Sequence, residues 1–277
     1  MSASESSVSL RNGVSMPLLG LGTSHYGGYN QEAVVYALRD CGYRLIDTAQ
    51  RYGCEKQVGK AITISGVPRE NVFLTTKLWP SYYGCNKALE QAKISMSNLN
   101  TDYLDLFLLH WPADNKGQSD LTETWRALEL LLEEGKVKAI GVSNFQQRHL
   151  NRLLDQCSVV PFVNQCEFHP YQNDKELRSY CREYAIRFDG YSPLGKGELL
   201  HDANIQQISK NHQKTPAQVL IKWSIQNGVV TIPKSTKKER VKENSDIWDF
   251  DLSTDDMRIL NNLHQNLRVT WDPSYVP

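Results

Sequence analysis

The chain has 277 residues, and its 31 Lys and Arg balance its 31 Asp and Glu, so the formal charge is zero. That balance excludes the basic excess of a dedicated nucleic-acid binder, and 40% hydrophobic with 22% charged residues excludes a disordered chain. No apolar run approaches the ~18–20 residues that span a bilayer, and the six cysteines show neither C-x-x-C nor zinc-ligand spacing. Reduced thiols and no metal site are expected. The opening MSASESSVSL lacks the basic and apolar regions of a secretory leader, so a cytoplasmic protein is expected.

Two short runs, 7–10 and 14–18, flank Asn12-Gly13 and read as a hairpin with a type I′ turn. From there β-branched apolar runs alternate with amphipathic ones. Strand 18–23 precedes helix 31–41, strand 43–48 precedes helix 55–65, and strand 72–78 precedes helix 86–99. Strand 103–110 precedes helix 121–134, in which Trp125, Leu128, Leu131 and Leu132 share one face. Strand 137–143 leads to helix 146–156, 162–167 to 174–183, 188–193 to 216–226, and 229–233 to 237–245. Gly42, Gly66, Gly135 and Gly228 follow helical runs where a left-handed cap is wanted. Thr215-Pro216 reads as an N-cap followed by Pro at the first helical position.

Eight strand–helix repeats are the pattern of an α/β protein with a closed parallel (β/α)8 TIM barrel. The hairpin would plug the bottom, and 253–265 would add one C-terminal helix before a short tail. No linker or composition break divides the chain, so 1–277 reads as a single barrel domain.

Barrels of this kind carry their active sites at the C-terminal ends of the strands. In chain order those ends hold Gly22-Thr23, Asp47, Lys77, His110, Ser143-Asn144, Gln165 with Glu167, Tyr191-Ser192-Pro193 and Lys234-Ser235. Singly, each has an ordinary explanation: Asp47 as a helix N-cap, His110 as a core histidine, Tyr52 as a loop aromatic. Together they are harder to dismiss, because a lysine ending an apolar strand needs a partner for its charge. Asp47, ending the neighbouring strand, supplies one.

Asp47–Tyr52 reads D-T-A-x-x-Y, and Lys77 follows T-T. L-H-W-P stands at 109–112, G-V-S-N-F at 141–145, Y-S-P-L-G at 191–195 and I-P-K-S at 232–235. This ensemble, in order and spacing over nearly the whole chain, resembles the aldo-keto reductase superfamily. Its short loops after strands four and seven (114–120 and 194–200) and its compact tail resemble the diketo-gluconate reductase and prostaglandin F synthase type. An open pocket and a broad carbonyl range are expected from those short loops.

The resemblance implies reduction of a carbonyl by hydride from NADP(H), with Tyr52 as proton donor. Lys77 would lower the phenol's pKa, Asp47 would hold Lys77, and His110 would orient the substrate carbonyl. Ser143, Asn144 and Gln165 match the residues that bind the nicotinamide carboxamide, and Tyr191 matches the ring that stacks on it. Gly22 and Thr23 would line the mouth, and Ser192 and Leu194 belong to the pyrophosphate cover. Lys234, Ser235 and Arg240 match the grip on the 2′-phosphate, and Asn244 an adenine contact. Basic groups after strand eight, at a helix start, independently suit a phosphate. Lys237, Lys238 and Lys242 read instead as a solvated face. Tyr26, Trp79 and Trp111 would line the substrate pocket. Two features depart from the pattern: Asp189 stands where small apolar residues are commoner, and Glu243 where a neutral amide is frequent.

The partner implied is a small-molecule carbonyl compound, with no nucleic acid and no membrane, and the chain is expected to be a monomer. Two alternatives remain at this stage. Lys77 could form a Schiff base, or the barrel could bind cofactor as a structural or regulatory protein without turnover.

Overall fold

The computed structural model describes residues 6–24, 27–112 and 121–277. Tyr26 and the loop 114–120 lie outside the described residues, as do 1–5 of the opening segment.

Strands β1 (Ser7–Ser9) and β2 (Ser15–Pro17) form the expected antiparallel hairpin. Its turn differs from the expected type. Leu10 O accepts from Gly13 N at 2.9 Å, and Leu10 N donates to Val14 O at 2.8 Å. Gly13 has φ +85°, but Asn12 does not have positive φ. A type I′ turn needs both, so the longer loop with one left-handed glycine forms instead. The hairpin lies across the bottom of the barrel. Asn12 donates to Lys138 O at 2.9 Å and Arg11 to Pro161 O at 3.3 Å, both acceptors just upstream of barrel strands. Leu10 and Met16 are buried beneath it.

The barrel strands are β3 (Gly20–Gly22), β4 (Leu45–Asp47), β5 (Phe73–Leu78), β6 (Leu106–Leu109), β7 (Ile140–Ser143), β8 (Val163–Glu167), β9 (Arg187–Tyr191) and β10 (Val230–Ile232). Each neighbour pair is parallel. The ring closes where Leu19 pairs with Thr231 and Gly22 N donates to Pro233 O at 3.0 Å. All eight expected strands are present; each is shorter than the expected run, with β5, β7 and β8 ending where expected and β9 starting one residue earlier.

The helices are α1 (Gln31–Arg39), α2 (Glu55–Ser65), α3 (Cys85–Leu99), α4 (Leu121–Glu133), α5 (Gln147–Leu154), α6 (Lys175–Glu183), α7 (Ala203–His212), α8 (Pro216–Gln226), α9 (Lys238–Ser245) and α10 (Thr254–Asn261). In α4, Trp125, Leu128 and Leu131 are buried as the spacing predicts, and the Trp125 indole donates to Val159 O at 2.9 Å. Thr215 caps α8 by accepting from Gln218 N. The four expected glycine caps all have positive φ.

Helix α7 has no counterpart among the expected elements. Its sequence is polar, and only Ile205, Ile208 and Ser209 are buried. Asp202 starts it by accepting from Asn204 N and Ile205 N, so β9 is followed by two helices. The extra C-terminal helix is α10, shorter than expected, and the tail beyond it runs back over the barrel rim. The six cysteines are all unpaired. Among the described residues no helix is long and apolar enough to cross a membrane.

Candidate active site

At the C-terminal rim the strands open into a cavity of about 690 Å³. One end reaches Asp47, Tyr52 and His110, and the other passes over β10 to Lys234, Ser235 and Arg240 at the start of α9.

Asp47 ends β4, and Lys77 stands one residue before the end of β5, so adjacent strands carry the two charges. Lys77 Nζ donates to Asp47 Oδ1 at 2.5 Å and to Thr48 O at 3.0 Å. Both side chains are almost fully buried, and a buried ammonium needs such partners. Tyr52 follows on a short 3-10 turn (Gln50–Tyr52) that ends at Gly53, φ +69°. Lys77 Nζ lies 5.2 Å from the centre of the Tyr52 ring. His110 comes directly after β6, with its imidazole edge-on to Tyr52 at 5.5 Å and to Trp79 at 5.2 Å. Asp47, Tyr52 and His110 face the cavity; Lys77 stands behind them.

This geometry sets the resting state of the phenol and corrects one expectation. Burial, then the Asp47 carboxylate and the Cys54 thiol, push the Tyr52 phenol well above its ordinary value. The net shift is upward even though the Lys77 ammonium stands 5.2 Å from the ring centre. The Schiff-base alternative fails, since Lys77 is buried, tied to Asp47 and Thr48, and absent from the cavity wall.

Gln165 projects from β8 across the barrel interior. Its Nε2 donates to Asp47 Oδ2 at 2.8 Å and to Asp189 Oδ2 at 2.7 Å. Carboxylates only accept, so this amide has one consistent orientation. Asp189, the residue out of pattern on β9, therefore has a partner. Burial, then the Asp47 charge, raise its pKa to about 7.

Ser143 Oγ donates to Gln165 O at 2.9 Å, and Asn144 Nδ2 donates to His110 O and to Ser143 Oγ, each at 3.0 Å. Asn144 Oδ1 accepts from Tyr191 OH at 2.7 Å. All four of these side chains reach the cavity wall. Ser192 lines it with left-handed backbone, φ +53°, a conformation that costs about 1–2 kcal/mol in a non-glycine residue. Ser192 O accepts from Gly195 N at 2.9 Å, which curls the loop carrying Leu194 over the cavity. Gly22 also lines the wall, and a Cβ there would stand 3.1 Å from Ile232 O. Thr23 does not line it. The Thr23 hydroxyl is buried and donates to Asp47 O at 3.0 Å, bracing the end of β4 instead.

At the far end, α9 starts just after its N-cap residue Lys237, with no side chain capping its first amides. Lys234, Ser235, Arg240 and Asn244 all line the wall here. So does Lys237, which the sequence reading assigned to the solvated face. Lys238 points away and pairs with Glu32 at 2.9 Å. Glu243 lines the wall and accepts from Thr215 Oγ1 at 2.6 Å. Burial lowers the pKa of Lys234.

Trp111 lines the substrate end, whereas Trp79 meets it through His110 and Trp271. Thr270 and Trp271, from the tail, also line the cavity and were not anticipated. Trp271 is edge-on to Trp79 at 5.8 Å and to Trp111 at 6.0 Å. Glu167 holds this segment, accepting from Val269 N at 2.6 Å, Thr270 N at 3.2 Å and the Thr270 hydroxyl. Its other partner is His169 Nε2 at 2.8 Å. The only local sign of this role was a tryptophan in a tail with no helical or strand periodicity.

Comparison with known proteins shows the family. The chain belongs to the aldo/keto reductase family, whose model matches residues 18–265. It is 45% identical to the 9,11-endoperoxide prostaglandin H2 reductase of Trypanosoma cruzi, over 99% of this chain and 96% of that one. It is 46% identical to the glyoxal reductase of Bacillus subtilis, over 96% and 95%. Among solved structures, a mutant of Gox0644 in complex with NADPH superposes with a TM-score of 0.89 at 39% identity, covering 97% of both chains.

Proposed function

We propose that this protein reduces aldehydes and ketones to alcohols with NADPH, with Tyr52 giving the proton. The observation that carries this is the sharing of one cavity by Tyr52 and His110 at one end and Lys234 and Arg240 at the other. The wall suits the cofactor along its length. Uncapped amides of α9, with Lys234, Lys237 and Arg240, offer positive charge for a ribose 2′-phosphate. Asn244 lies where the adenine would rest. At the other end the Tyr191 ring offers a stacking face. Gln165 Oε1 and the second lone pair of Asn144 Oδ1 offer acceptors for a carboxamide NH₂, because the donors of both amides are already committed.

When bound, NADPH supplies a hydride to the carbonyl carbon. His110 hydrogen-bonds the carbonyl oxygen and fixes its direction. The Tyr52 phenol, held fully protonated at neutral pH, donates its proton to that oxygen as negative charge develops on it. A raised phenol pKa does not forbid this, because an alkoxide is about as basic as hydroxide, its conjugate acid being as weak as water at ~15.7. Lys77 stabilises the resulting phenolate from behind the ring, and Asp47 keeps Lys77 in position. Trp111 and Trp271 exclude water from the reacting end.

Residues 1–277 act here as one barrel domain. We infer a monomer, as the family resemblance implies, and six unpaired thiols support a reducing compartment such as the cytoplasm. The test is NADPH oxidation at 340 nm with 4-nitrobenzaldehyde. Turnover is expected. Tight NADPH binding without turnover would favour a binding or structural role instead.

A further inference from the structure

Arg51 immediately precedes Tyr52 in the same short turn. Its guanidinium carbon lies 4.1 Å from the centre of the Trp79 ring and 5.3 Å from that of Trp271. Several cations take carboxylate partners: Lys238 pairs with Glu32, Arg39 with Asp40, and the less exposed Arg268 with Asp272. Arg51 is exposed, and among the described residues its charge meets two indole faces and no carboxylate.

The position matters because of what those indoles touch. Trp79 is 5.2 Å from the His110 imidazole, and Trp271 lines the cavity. The two centroid distances through Trp79 put the guanidinium within about 9.3 Å of the imidazole centre. Arg51 stands just outside the cavity wall, and Trp271, which does line it, is the indole past which a substituent a few carbons long, on a carbonyl held by His110 and Tyr52, would reach the guanidinium. Stacking between two indoles also limits the freedom of the guanidinium, so less entropy is lost when it binds a ligand.

We propose that Arg51 forms an anion subsite at the cavity mouth, and that the preferred substrates are short oxo acids with a carboxylate a few carbons from the carbonyl. This deepens the carbonyl-reductase function and rests on it. The carboxylate would accept from the guanidinium fork while the aldehyde carbon sits at the reacting end. Stacking supplies orientation without neutralising the charge, so among the described residues the site keeps a cation with no carboxylate partner beside two indoles. Neutral aldehydes of the same length would still enter but lack that anchor.

The test compares 4-oxobutanoate with butanal, a neutral aldehyde of the same chain length, in the wild type, Arg51→Met and Arg51→Lys. Methionine retains apolar contact with the indoles, so packing and charge are separated. The wild type should favour the oxo acid in kcat/KM. Arg51→Met should cut the oxo acid to butanal ratio by about 10–100-fold, the scale of a charge-assisted hydrogen bond, mainly through KM. Arg51→Lys should restore part of it. An equal loss on both substrates, or no wild-type preference, would overturn the subsite while leaving the reductase intact. Lack of wild-type turnover with these and with 4-nitrobenzaldehyde would overturn both.

Discussion

The side-chain amide of Gln165 joins two buried carboxylates, reaching Asp189 at 2.7 Å and Asp47 at 2.8 Å. Asp47 also holds Lys77, but Asp189 has no cation at contact distance among the described residues. Its pKa accordingly rises from an ordinary 3.8 to about 7, through burial first and the Asp47 charge second. Between those values the unfolded chain ionises Asp189 while the folded protein keeps it protonated. The unfolded state then binds fewer protons, so stability falls as pH rises from about 4 to about 7 and levels off above. Three units correspond to ~4 kcal/mol at most. Asp189→Asn should therefore gain stability relative to the wild type at pH 8 and much less at pH 5. Urea unfolding at the two pH values reads this. A difference between variant and wild type that is the same at both would rule it out.

The tail is governed by Glu167. Burial pushes this carboxyl up, but hydrogen bonds from His169, Thr270 and Val269 hold it below the ordinary carboxylate range. Its contribution is complete above the unfolded value near 4.5 and is lost as pH falls through the lower folded value. Glu167→Gln should cost about 1.5–3 kcal/mol, the scale of hydrogen bonds to a charged group. It should also speed amide exchange at Val269 and Thr270. Hydrogen-exchange mass spectrometry over 264–277 measures this, and unchanged protection there would mean the tail is anchored elsewhere.

Arg240→Ala and Lys234→Ala should weaken NADPH binding by 10-fold or more each and change NADH binding little. Both side chains line the far end of the cavity, where only the 2′-phosphate distinguishes the two cofactors. Tryptophan-fluorescence titrations with both nucleotides compare them. Parallel losses would move the phosphate grip away from α9.

Much of this structure was legible in the sequence, for physical reasons that also explain the gaps. A strand buried on both faces must be apolar, so Leu106–Leu109 announces itself, and His110 stands out as the first polar residue after it. The charges of Asp47 and Lys77 were visible because they interrupt such runs. Asp189 was visible as an anomaly, but its partner required the register that sets Gln165 beside it. Helix α7 was missed because it buries only a narrow face against its neighbours. The roles of Thr270 and Trp271 depend on irregular backbone held from Glu167, about a hundred residues earlier, and that of Arg51 on the placing of Trp271 beside it. No local periodicity encodes such a contact. The net upward shift of the Tyr52 phenol was not legible for a related reason: spacing alone does not reveal how deeply the ring is buried beside the Asp47 carboxylate.

Tyr52→Phe is the most direct measurement. It removes one oxygen from a ring that His110 meets edge-on at 5.5 Å, and should leave the packing unchanged. With 4-nitrobenzaldehyde, kcat should fall by at least 100-fold, the scale of a lost general acid, while NADPH binds within about threefold of wild type. A variant that binds NADPH normally and keeps more than about a tenth of wild-type kcat would show that the proton comes from another group.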